Sequence, residues 1–168
     1  KGKLIIPSGN VKHTTDVKNF GSSSMYFDGS GDYLTIPSSA DFNITDTFTI
    51  EAWLFHTGDT GECYFSRASA TTDQWIVTEA SGKLSMNYYN SGNSIDIQVV
   101  STASLTAKSW NHCVVSRNGN AWQFFVNGIR GETITNTTGS STTDVSSLFQ
   151  HDVHIGSSWR SSAAHVPW

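Results

Sequence analysis

Charged residues make up 14% of this chain, and cysteine and proline occur only two and three times in 168 residues. Cys63 and Cys113 are too few for a disulfide framework. Each sits in an apolar, strand-like run, which reads as a pair of buried free thiols acting as small hydrophobes. A single bridge between them is the alternative. No CxxC occurs, and the six histidines show no zinc-like grouping with either cysteine. The net charge is -4 and the basic residues are scattered, with no Lys/Arg cluster to neutralise a row of phosphates, so nucleic acid is not an expected partner. No apolar stretch approaches the ~20 residues of a membrane span. The start is polar and basic with no signal-peptide pattern. Either a targeting segment has been removed or none was used, as for a phage particle protein assembled in the bacterial cytoplasm.

What the chain does have is aromatic mass: six Trp, nine Phe and five Tyr, a large supply for one core. The length suits one ordinary domain. With charge scarce, the polar surface falls to Ser, Thr, Asn and Gly, a composition suited to β-rich extracellular and phage structural proteins. The dominant signal is alternation with period two, broken by Gly, Asn, Asp and Ser. Ser24–Phe27, a turn at Asp28–Asp32, and Tyr33–Pro37 read as strand, tight turn, strand. In the next strand, Phe48, Ile50, Ala52 and Leu54 share one face and Thr49, Glu51, Trp53 and Phe55 the other. Aromatics on the second face predict that it too is partly covered. Further strands follow at Cys63–Ser66, Gln74–Thr78, Lys83–Tyr89 and Ile95–Val100. Trp110 to Thr135 predicts a three-strand meander, its second turn at Asn127-Gly128 being the strongest short hairpin signal. Short turns are expected at Ala103–Lys108 and Ser146–Phe149, and an exposed mobile loop from Thr135 to Thr143. The class is all-β, a sandwich or barrel, with residues 1–20 as a lead-in.

Four landmarks in order carry a resemblance. They are Ser24-Met25-Tyr26-Phe27-Asp28-Gly29 with Asp32–Pro37, then Phe48–Trp53, then Trp110–Val114 followed by Phe124–Gly128, and Val153-His154-Ile155-Gly156. Together they are similar to laminin-G-like, concanavalin A-like domains over roughly residues 20 to 160. The resemblance implies a two-sheet antiparallel jelly-roll sandwich, with Trp53 and Trp110 in its core. The opening Asn10–His13 and Phe20–Ser24 resembles copies in bacteriophage structural proteins. Family members continue past the fourth landmark into a strand that closes the sheet beside the first. Here that strand is expected to be absent, which suggests a segment of a longer chain or completion by a neighbour. An open sheet edge favours pairing with other protein chains of an assembly.

Retaining glycosidases set two carboxylates ~5–5.5 Å apart, but Glu51 and Asp96 are each the lone acid of a strand. There is no Gly-x-Ser-x-Gly elbow, and His151 and His154, three apart on a strand, point to opposite faces. No enzyme is expected. Asp28 and Asp32 flank a Gly-Ser-Gly turn and are the candidate calcium ligands, the alternative being that Asp28 caps the turn. Carbohydrate binding would use outward aromatics, with Trp75, Tyr88, Tyr89, Trp122 and Trp159 as candidates. Burial is the competing reading of any one of these rings. One of Tyr88 and Tyr89 is expected to face outward. Asn43-Ile44-Thr45 and Asn136-Thr137-Thr138 match the glycosylation sequon. The expectation is a virion or extracellular structural or attachment module: a phage decoration, fibre or adhesin domain. Its alternative is a calcium-assisted, lectin-like module that binds a cell-surface glycan.

Overall fold

The computed structural model describes residues 2–42, 47–68, 74–89, 95–119, 121–136 and 151–157. Within them the strands are β1 (Ile6–Ser8), β2 (Lys12–Thr14), β3 (Ser24–Tyr26), β4 (Tyr33–Ile36), β5 (Thr47–His56), β6 (Cys63–Ala68) and β7 (Gln74–Ala80). There follow β8 (Lys83–Tyr89), β9 (Ile95–Ser104), β10 (Ser109–Asn118), β11 (Ala121–Val126), β12 (Ile129–Arg130), β13 (Glu132–Asn136) and β14 (Val153–Ile155). They form an eight-stranded sheet in the order β1-β4-β14-β6-β7-β8-β9-β13, a four-stranded sheet in the order β12-β11-β10-β5, and a β2-β3 ribbon. The pairings are antiparallel throughout. The chain is the all-β protein that the period-two pattern predicts, in the two-sheet jelly-roll sandwich that the resemblance implies.

Alternation explains the core. Trp75 and Val77 of β7, Leu84, Met86 and Tyr88 of β8, and Ile97 and Val99 of β9 point inward from the larger sheet. Cys113 and Val115 of β10 and Trp122, Phe124 and Val126 of β11 meet them from the smaller one. Phe48, Ile50 and Leu54 of β5 pack against this cluster, the face assigned to them by alternation. Phe48 joins the layers: its ring stacks on Trp75 at 6.1 Å and meets Trp122 edge-on at 5.8 Å. Cys63 and Cys113 are buried thiols, not bridged to each other, and burial pushes the Cys113 thiol up to about 12.

Several local expectations change in the tertiary setting. The lead-in holds two strands, because β1 finds β4 and β2 finds β3. The turn at Asp28–Asp32 does not close a hairpin: β3 belongs to the ribbon and β4 to the large sheet. Asn127 and Gly128 adopt φ 52° and 79°, the positive pair that a two-residue hairpin turn needs. The third arm of the meander then divides between sheets, β12 pairing with β11 and β13 with β9. Thr135 and Asn136 are therefore strand rather than loop. Ala103 and Ser104 complete β9, leaving only the turn at Ala107–Lys108. Residues 137–143, Ser146–Phe149 and Asn43–Thr45 lie outside the described residues.

Gly131 is where the chain changes sheets. Its N–H donates to the Phe124 carbonyl of the small sheet, at 3.1 Å, while its carbonyl accepts from Thr102 N–H of the large one, at 3.0 Å. A Cβ here would collide with the Thr102 side chain. Gly131→Ala is expected to lower stability by about 1–3 kcal/mol, the usual cost of overpacking. Urea unfolding reads this as a lower midpoint, whereas Gly2→Ala, with open space around it, leaves the midpoint unchanged.

Candidate binding groove

β5 is the last strand of the four-stranded sheet, with no strand paired to its far side among the described residues. Across from it stands the β2-β3 ribbon, and between the two runs a largely apolar groove of about 550 Å³. One wall is β3 with Phe27; the other is Ala52–Phe55 of β5. Leu34, Tyr64, Trp110 and Ile155 lie beneath, and Val17 and Phe20 reach in from the loop between β2 and β3. Ala52 lies on the core side of β5 by register, opposite Cys113, yet it is exposed. Among the described residues nothing covers the sandwich at this edge.

The turn after β3 positions the ribbon wall. Asp32 is buried and accepts the N–H of Asn10 at 2.7 Å and of Asp28 at 2.9 Å. Asp28 accepts Ser30 N–H at 2.8 Å and the Asn10 side-chain amide at 2.9 Å. These bonds, Asn10 foremost and then Ser30, hold the Asp28 carboxyl below its ordinary value. The two aspartates named as candidate calcium ligands are thus brought together, each oxygen of both facing an N–H donor. Such a set satisfies the carboxylates without a cation, whereas calcium takes six to eight oxygen ligands. Among the described residues no three His, Cys, Asp or Glu gather as a metal site.

A buried polar network closes one end of the groove. Glu62 accepts from Tyr64 Oη and His56 Nδ1, each at 2.7 Å, and from the Thr57 N–H at 2.9 Å and its hydroxyl. Burial pushes the Glu62 carboxyl up, but donors from Thr57, Tyr64 and His56 outweigh it and hold the group below its ordinary 4.5. Burial, with the Glu62 carboxylate beside it, pushes the Tyr64 hydroxyl far upward, so it remains a donor. Glu79, also buried, accepts Gly61 N–H at 2.6 Å and Gly82 N–H.

On the outer lip, Trp53 is 42% exposed and Phe20 68%. Their rings meet edge-on at 6.1 Å. His112 lies against Trp53 at 5.0 Å, and its Nε2 is 2.8 Å from a Glu51 carboxylate oxygen. Trp53 is therefore not the core residue that its landmark position implied, and Trp110 is half-buried on the groove.

The aromatics proposed for sugar contact are placed elsewhere. Trp75 and Tyr88, directly cross-strand, and Trp122 are buried between the sheets, because their strand parity points them inward. Tyr89 does face the opposite side from Tyr88, but it is buried beside Ile76 and Cys63. Trp159 lies outside the described residues. The outward ring, Trp53, was marked in the sequence only by sharing a face with Glu51.

Over residues 28–166 the chain matches the family described as the concanavalin A-like lectin/glucanases superfamily. No curated protein matches it. Among solved structures it is similar to the LG1-3 region of the laminin alpha2 chain, with 16% identity and TM-score 0.61, covering 84% of this chain and 28% of that one. It thus spans under a third of that laminin structure. It is also similar to domain 4 of AbnA, an extracellular arabinanase of Geobacillus stearothermophilus, in complex with arabinotriose. There the identity is 12% and the TM-score 0.69, over 98% of this chain and 77% of that one. A third is the enzymatically active domain of bacteriophage CBA120 tailspike protein 2, at 10% identity and TM-score 0.62, over 99% and 27%. At these identities the likeness is one of fold.

Because the folded Glu62 carboxyl lies below its unfolded value, its contribution is complete above about pH 4.5 and is lost as pH falls through the folded value. Glu62→Gln is expected to cost roughly 3 kcal/mol at pH 7, as for breaking a buried pair, and to flatten the acid limb. Unfolding free energies from pH 7 down to 3 check both; an unchanged acid limb refutes the assignment.

Proposed function

Since the chain belongs to the concanavalin A-like lectin/glucanases superfamily, we propose that it is a non-catalytic attachment module of a larger assembly, extracellular or on a virion, which holds its partner in the groove between β3 and β5. The observation that carries this reading is the groove itself, an apolar trough beside a strand edge to which no strand pairs among the described residues. Val17, Phe20, Met25, Tyr26 and Trp53 around it are all exposed. Monomeric proteins rarely leave contiguous apolar surface of this kind to water unless something binds there. The buried carboxylates of Glu62 and Glu79 are committed to N–H and O–H donors that hold loops in place, which suits a scaffold rather than a pair of catalytic acids. A tailspike domain of similar fold is in keeping with a place on a phage particle, as a decoration, fibre or adhesin domain.

A glycan-binding reading has one observation in its favour, the Trp53, Phe20, His112 and Glu51 cluster on the groove's lip. An exposed indole offers a sugar ring an apolar face to stack on, and Glu51 beside it offers a hydroxyl an acceptor. The arabinanase domain, in complex with arabinotriose, gives that reading a precedent in this fold. Calcium, if it assists, would be held by Asp28 and Asp32.

Native mass spectrometry of the protein as isolated from its source, with and without a calcium chelator, is expected to show a complex heavier than the single chain and indifferent to the chelator. Trp53→Asp is expected to release the single chain from it. A chelator-sensitive single chain that binds a glycan array through Trp53 would overturn the attachment reading in favour of the lectin.

A further inference from the structure

We propose that Asn118 is a site of spontaneous modification in the folded protein, its side-chain amide lost through a succinimide to aspartate and isoaspartate, while the fold holds Asn127 back from the same reaction. This modification goes beyond the attachment reading and does not depend on it. The chain has two Asn-Gly pairs, Asn118-Gly119 and Asn127-Gly128, one in the turn before β11 and one in the turn after it. In such a pair the glycine nitrogen attacks the asparagine Cγ with no Cβ of its own in the way. A bond forms between that nitrogen and Cγ, the Cγ–Nδ2 bond breaks, and ammonia leaves with the proton of the glycine N–H. Water then opens the five-membered ring at either carbonyl. One opening gives aspartate; the other gives isoaspartate, whose main chain runs through the former side chain. The reactants are the chain and water alone.

Ring closure needs open space and an asparagine side chain able to swing onto the next nitrogen. Space does not distinguish the two pairs: both asparagines are exposed, and a Cβ at Gly119 or Gly128 would meet nothing. Their side-chain bonds do. Asn127 is tied at both atoms, its Oδ1 accepting the His112 N–H at 2.9 Å and its Nδ2 donating to Asn111 Oδ1 at 3.1 Å. Its own N–H donates to the His112 carbonyl at 2.8 Å, so backbone and side chain clasp one residue of β10. Asn111 is fully buried and cannot turn its amide over. Its Nδ2 donates to the Thr106 and Ser109 carbonyls, each at 3.0 Å, and its Oδ1 also accepts the Thr106 N–H at 2.8 Å. Conversion of Asn127 would set a carboxylate oxygen against that Oδ1, acceptor against acceptor.

Asn118 is held far more lightly. It is the last residue of β10, and its Oδ1 accepts the Thr47 hydroxyl at 3.3 Å. Its Nδ2 donates to nothing among the described residues, and a carboxylate would accept the same hydroxyl. The Gly119 carbonyl accepts Arg117 Nε at 2.8 Å, which keeps the turn in place without engaging the reacting atoms.

The test ages the whole chain in mildly alkaline buffer and follows the peptides that contain Asn118 and Asn127 by mass spectrometry, with fragmentation telling isoaspartate from aspartate. The folded chain is expected to lose the Asn118 amide at least about tenfold faster than the Asn127 amide, the opening cost of the one or two further hydrogen bonds that hold Asn127. In concentrated urea the two rates should come together, because only the shared Asn-Gly sequence then governs them. Asn118→Gln, which keeps an amide on exposed surface, should remove the product at that position and leave the Asn127 rate as it was. Equal rates in the folded chain, faster loss at Asn127, or loss at neither site until urea is added overturns the proposal. So does a rate gap that persists unchanged in urea, which would belong to the neighbouring residues and not to the fold.

Discussion

The stacking of Phe48 on Trp75, with Trp122 set edge-on against the same Phe48 ring, is the contact on which the rest of the arrangement depends. It ties β5, the outermost strand of the small sheet, to the centre of the large one. Each buried ring contributes about 1.5–3 kcal/mol by leaving water, and an edge-to-face pair about 0.5–1.5 more. With one end of β5 anchored so firmly, its other residues are held in place without a neighbour on the far side.

From that anchor the two ends of β5 diverge. At the Phe48 end the strand is sealed into the core. At the His56 end it runs into the Glu62 network, where four donors compensate a carboxylate that burial alone would neutralise. Between them lies the stretch Ala52–Phe55, open on one side. Apolar packing at one end and satisfied polar burial at the other fix the position of this middle stretch.

The strand pattern was legible because period two and the Asn127-Gly128 turn are local signals. So was the inward face of β5, and so was the turn contact of Asp28, whose carboxylate accepts the N–H of Ser30 two residues on. The aromatics were less legible. Trp75, Tyr88 and Trp122 have the same side chains whether they face core or water; only the parity of each strand relative to its sheet decides. Tyr88 and Tyr89 show this directly, as adjacent rings on opposite faces that are both buried. Trp53 shows the converse, since a landmark position in the family did not make it a core residue: it is 42% exposed on the outer lip of the groove.

What the sequence determined by itself is the class of fold, most of the longer strands, the Asn127-Gly128 turn and the alternation of the core, because each depends on residues within a few positions of one another. The tertiary structure alone decided which strands neighbour which: that β3 leaves β4 for a ribbon with β2, that β12 and β13 part at Gly131, and that β5 ends a sheet opposite β3. Pairing depends on contacts between residues far apart in the chain, and no local pattern encodes an edge. The groove is made of two edges, so it came into view only when the sheets were assembled.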